Sequence, residues 1–215
     1  MTDTQRRFHV FDMDGTLIDS MPYWENLMIN YLDERSISYP DDLLVTITPM
    51  GLDAVADYFR NVLGCRETKE EFIKMLNEAA TEQYKHFIPA KPGAGDYLKK
   101  LRGAGIRTSM LTASPHLFMD PCMKRLGFDR LLDPMVSTDD IGITKADPEI
   151  YLRLASMLGC GCSDICFYDD NLIALRAASE AGCETVAVYD EASSSSFAEA
   201  SAAADRHIYS FSELL

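Results

Sequence analysis

The chain has 215 residues, 47% of them hydrophobic and 25% charged, which suits one large domain, or a core domain with an insertion, built on a sizeable core. A formal net charge of −14 argues against nucleic acid or an anionic membrane as partner, and any phosphorylated ligand would need a metal ion and local cations to be attracted. No apolar run approaches the length of a membrane span, Met1–Arg7 has no signal-like apolar segment, and the six cysteines (65, 122, 160, 162, 166 and 183) lack zinc-ligand spacing, so the expectation is a reducing, cytoplasmic setting.

The first element is a short apolar strand, Phe8 to Phe11, that runs into Asp12-Met13-Asp14-Gly15-Thr16. Side chains two apart on a strand share a face, so Asp12 and Asp14 are aimed into the same space. Two carboxylates closing a hydrophobic strand are costly unless a cation or a proton relieves them. From Asp19 to Phe87 the pattern is helical. Pro22–Arg35 carries apolar residues at helical spacing, Pro40-Asp41-Asp42 breaks it, and Thr46–Gly51 reads as a loop. Leu52–Leu63 is a second helix, and Thr68 with Glu71 forms a capping-box pattern opening a third. Pro89 and Pro92-Gly93 end the block.

Beyond Pro92, helices and strands alternate. Helices are expected over Ala94–Leu101, Pro115–Leu126 (shortened or kinked at Pro121), Pro148–Leu158 with Asp147 as N-cap, and Leu172–Ala181. Strands are expected over Ile106–Thr112, Met135–Ser137, Ile165–Tyr168, Thr185–Tyr189 and near His207-Ile208. Ser193–Ala204 reads as a mobile loop plus a surface helix. Such alternation specifies an α/β fold: a Rossmann-like parallel sheet, covered on both faces, with an all-helical insertion. The core is expected over 1–17 and 90–215, the helical domain over 18–89.

In an open parallel sheet, ligands bind beyond the carboxyl ends of the strands. Four strand ends carry chemistry. The first has Asp12 and Asp14. The second has Thr112-Ala113-Ser114-Pro115, a hydroxyl beside free helix N–H groups that suits phosphate and is equally an ordinary helix start. Lys145 lies in a loop before a helix. The fourth has Asp169 and Asp170. Acid pairs on two strands, a hydroxyl on a third and a loop lysine suit a divalent cation with a phosphoryl group, and oxygen ligands favour magnesium over zinc.

Phe11-Asp12-Met13-Asp14-Gly15-Thr16-Leu17 resembles the first motif of the haloacid dehalogenase superfamily. Thr112, Lys145 and Asp169-Asp170 resemble its second, third and fourth motifs, in order. The helical block resembles the cap of the subfamily holding phosphoglycolate phosphatase and beta-phosphoglucomutase. The resemblance implies a magnesium-dependent phosphatase acting on a small-molecule phosphate ester, a monomer or weak dimer. Asp12 would be the nucleophile, Asp14 the proton shuttle, and Thr112 and Lys145 the groups stabilising the transferring phosphoryl. Asp12, Asp14, Asp169 and Asp170 would hold the metal. Gly15, Thr16, Ala113, Ser114 and, in the cap, Trp24 would contact substrate. Dehalogenase members lack an acid at the position of Asp14. Mutase relatives carry a histidine where this chain has Trp24, which argues against the alternative of a sugar-phosphate mutase. Asn171 and Ala174 replace the usual serine and glycine after the last acid pair.

Overall fold

The computed structural model describes residues 8–47, 50 and 52–215. Among the described residues six strands form one sheet: β1 (Phe8–Phe11), β2 (Arg107–Thr112), β3 (Met135–Ser137), β4 (Ile165–Asp169), β5 (Glu184–Val188) and β6 (Arg206–Ile208). Their order is β3-β2-β1-β4-β5-β6 and every pairing is parallel. Burial on both faces explains why these strands read as continuous apolar runs rather than alternating ones. On one face Phe8, Val10, Leu111, Ile165 and Phe167 pack with Ile150, Tyr151, Leu154, Ala174 and Ala178. On the other, His9, Phe11, Tyr97, Tyr168 and Phe211 form an aromatic stack, with Phe11 and Tyr168 rings 4.6 Å apart.

The helices in chain order are α1 (Met21–Glu34), α2 (Leu43–Ile47), α3 (Leu52–Asn61), α4 (Lys69–His86), α5 (Ala94–Gly103), α6 (His116–Leu126), α7 (Thr138–Ile141), α8 (Glu149–Leu158), α9 (Leu172–Glu180) and α10 (Ser194–Ala203). Local chemistry sets several starts. Thr68 and Glu71 cap α4 reciprocally, each side chain accepting the other's backbone N–H at 3.2 and 2.9 Å. The break expected at Pro40-Asp41-Asp42 separates α1 from α2, and Pro40 and Asp42 supply the first carbonyl acceptors of α2, a helix that takes in Thr46 and Ile47 from the expected loop. Helix α6 runs unbroken through Pro121, at the cost of the N–H that would have bonded Leu117. Helix α8 begins one residue later than expected, at Glu149 with Pro148 flanking it, and the Asp147 side chain accepts from the N–H of Glu149 at 2.9 Å. The Ser/Ala-rich stretch is ordered as α10, which buries Phe197 and Ala200 beside Leu175 and Ala187.

The chain divides into two compact units: the segment up to Ser20 with Ile88–Leu215, and Met21–Phe87. The helical unit has its own core of Met28, Tyr31, Leu32, Val55, Phe59, Phe72 and Leu76. In it the Tyr31 hydroxyl and Arg35 both donate to Glu67, at 2.6 and 3.0 Å, and these bonds hold the Glu67 carboxyl down at about 2. In the sheet unit, the strand-like residues flanking the insertion pair with each other. Asp19 N–H donates to Pro89, Lys91 N–H donates to Leu17, and Ile18 bridges Ala90. Of the loop expected over Thr46–Gly51, Thr48, Pro49 and Gly51 lie outside the described residues. Among the described residues no helix is long and apolar enough to cross a membrane.

Candidate active site

All six strands point one way, so their carboxyl ends share one edge of the sheet. The connectivity reverses between β1 and β4, the position at which open parallel sheets leave a crevice. The Asp12 N–H donates to the carbonyl of Tyr168 at 2.9 Å, carrying the β1–β4 pairing one residue past β1 and setting Asp12 beside Asp169. One carboxylate oxygen from each of Asp12, Asp169 and Asp170 lies within 4.8 Å of the others. Lys145 donates to Asp12 Oδ1 at 2.6 Å and to Asp169 Oδ2 at 2.7 Å.

The turn after β1 is built from backbone. The carbonyl of Met13 accepts from Leu17 and Ile18 at 2.9 and 3.0 Å, and Gly15 N–H donates to Ile18. Gly15 has φ of +77°, and a Cβ there would stand 2.9 Å from the Asp170 carboxyl group; only glycine meets both conditions. The turn presents Asp14 to the end of β2, where Ser114 Oγ donates to Asp14 Oδ2 at 2.6 Å. Ser114 is itself held, its N–H donating to Thr112 Oγ1 at 3.0 Å and its carbonyl accepting from Ser137 Oγ at 2.9 Å. After β4, Asn171 N–H donates to Asp169 Oδ1 at 2.8 Å, and the Asn171 side chain caps α9 through Ile173 and Ala174.

Charge at this edge is badly balanced. Burial pushes the Asp12 carboxyl well up; Lys145 opposes the rise, and Asp169, Asp170 and Asp14 add to it. Asp170 is pushed up to about 7, by burial first and then by Asp169 and Asp190. Burial lowers Lys145, but Asp12 and Asp169 more than offset it and hold the ammonium charged. One ammonium therefore serves three close carboxylates. The donor set is all oxygen and lacks positive charge, which fits a hard divalent cation.

The chain matches the sequence profile of the haloacid dehalogenase-like hydrolases over residues 9–182. It belongs to that family. The hydrolase is 24% identical over 177 residues to the phosphorylated carbohydrates phosphatase of Thermotoga maritima, covering 82% of each chain. It is 32% identical over 115 residues to (S)-2-haloacid dehalogenase 4A of Burkholderia cepacia, covering 54% of this chain and 49% of that one. Its fold is similar to that of a haloacid dehalogenase family hydrolase from Deinococcus radiodurans solved with phosphate and sodium, with TM-score 0.78, 20% identity, and coverage of 99% and 94%. Its parallel core with inserted helices is the family's Rossmann-like fold with a helical cap.

In this hydrolase the structure brings Asp12, Asp14, Gly15, Thr112, Ser114, Lys145, Asp169 and Asp170 to one edge of the sheet. Ala113 is exposed beside Thr112. Thr16 is fully buried, and its hydroxyl has no hydrogen-bond partner among the described residues. Trp24 belongs to the helical unit, where its indole N–H donates to the Tyr84 hydroxyl at 2.9 Å. Sequence reasoning passed over Asn171 as a support for Asp169, and passed over Asp190. The signal for Asp190 was present: like β1 and β4, the strand before it is apolar and followed by an acid.

Proposed function

We propose that this hydrolase is a magnesium-dependent phosphatase that cleaves a small-molecule phosphate monoester through an aspartyl-phosphate. The observation that carries the reading is the pairing of roles at the end of β1: Asp12 tied to Lys145, and Asp14 tied to Ser114 instead. A nucleophile and a proton carrier need such different surroundings. Asp12, Asp169 and Asp170, with the Asp14 carbonyl, would hold magnesium. Bound there, the ion would neutralise the repulsion between carboxylate and phosphate.

Asp12 attacks phosphorus in line while Lys145, Thr112 and the Ala113 amide stabilise the equatorial oxygens. Lys145 takes Oδ1, which leaves Oδ2 as the attacking atom. Asp14 gives a proton to the leaving oxygen, and in the second step takes one from the water that releases phosphate. Gly15 and Thr16 serve the substrate side by shaping the turn that carries Asp14, and Ser114 orients Asp14. Halide leaves without a proton, so Asp14 with its own donor favours phosphate ester over haloacid. Trp24, with its single polar hydrogen committed to Tyr84, has no acid–base chemistry to offer a sugar-phosphate mutase; its proposed role is contact with the leaving group.

Phosphate release from p-nitrophenyl phosphate, with and without magnesium, tests the reading in the native chain and in Asp12→Asn. Release that needs the metal and disappears with the carboxylate is expected. Release that survives Asp12→Asn sinks it. A panel of metabolite phosphates then ranks substrates.

A further inference from the structure

Asp190 follows β5 with its carboxylate only 2% exposed. One oxygen accepts from Lys91 Nζ at 2.5 Å, the other from the N–H of Ala192 at 2.9 Å. Lys91 Nζ also donates to the carbonyl of Tyr189 at 2.9 Å, and its own N–H donates to Leu17 of the turn after β1. The pair therefore clips the turn 189–193 to the segment that carries Gly15. From that turn Ser193 donates its hydroxyl to the carbonyl of Asp190 at 3.3 Å, and the same side chain lies close enough to Asp170 to pull its carboxyl down against the larger rise from burial. Asp170 in turn rests against Gly15 with no room for a Cβ between them. No step of the proposed reaction uses Lys91, Asp190 or Ser193. Burying an ion pair costs desolvation that its attraction barely repays, so stability alone is a weak reason for this one.

We infer that Lys91 and Asp190 are positioning residues for the cation: their buried ion pair sets the turn from which Ser193 aims Asp170 at the ion, and Lys91 occupies a carboxylate that would otherwise crowd the same site. This rests on the reading of Asp12, Asp169 and Asp170 as a divalent-cation site.

The test is direct binding of Mn2+ to the full chain, read by electron paramagnetic resonance of the free ion, which does not depend on turnover. The double variant Lys91→Met/Asp190→Leu keeps the net charge, so a change in affinity reports geometry rather than field. Its affinity falls about tenfold, the scale on which groups that orient metal ligands act. Ser193→Ala, a change at a half-buried hydroxyl, also falls by about tenfold, the low end of the same scale. Lys91→Arg, which preserves the pair, stays near the native value. A double variant that folds and binds Mn2+ as tightly as the native chain overturns the inference. If the double variant fails to fold, native affinity in Ser193→Ala overturns it instead. A native chain that binds no Mn2+, or whose binding survives Asp170→Asn, overturns the metal-site reading as well, and so the two failures are told apart.

Discussion

The Ser114 hydroxyl donates a hydrogen bond to Asp14 Oδ2 at 2.6 Å, across 100 residues of chain. A serine hydroxyl that can both donate and accept suits a carboxyl group that must carry a proton in one step and lack it in the next. Ser114→Ala should lower turnover of alkyl phosphates about tenfold, the worth of one hydrogen bond to a charged group. Esters of p-nitrophenol, whose leaving group needs no proton, should lose much less. Rates on the two ester classes check this, and equal losses would remove Ser114 from the proton-transfer step.

Lys145 is the cation that Asp12 and Asp169 share, with the two carboxylates 5% and 0% exposed. Lys145→Met should destabilise the metal-free protein by about 3–5 kcal/mol, because the acids stay behind without a partner. Added magnesium should restore part of that loss. Urea denaturation with and without the ion measures both. A loss below about 1 kcal/mol would place the lysine's charge in the solvent-screened regime.

The sign at Asp170 runs opposite to that of an ordinary paired carboxylate. Its folded value, raised to about 7, means that the folded state holds a proton that the unfolded chain releases near pH 4. This group's contribution to stability is thus full below pH 4 and is lost as pH rises toward 7. A divalent ion competes with that proton. The rise in Tm caused by 10 mM magnesium, roughly 5–10 °C for a cation held near a hundred times its Kd, should grow between pH 5 and pH 7.5. A magnesium increment that is flat across this window would remove Asp170 from the ligand set.

Gly15→Ala tests the turn itself. The positive φ alone costs about 1–2 kcal/mol, and the new Cβ would push on the Asp170 carboxyl from 2.9 Å. Binding of Mn2+ should weaken by more than the change in stability accounts for. Calorimetric titration beside denaturation compares the two; unchanged affinity in a destabilised protein would mean that Asp170 moves without consequence.

Sequence by itself determined which residues could do chemistry, because that information is local. An apolar strand that ends in acids is costly wherever it lies, and helix and strand periods mark out an inserted helical block in an otherwise alternating chain. Near-correct strand ends followed for the same reason, as did the surface helix within Ser193–Ala204, while α2 was missed because a proline-aspartate start suits either loop or helix until packing decides. Only the tertiary structure could decide that Lys145 meets Asp12 across 133 residues, that Ser114 serves Asp14, or that Lys91 grips Asp190. Those meetings depend on strand order, which sets β1 between β2 and β4, and on connections whose lengths carry no record of which strands will lie side by side.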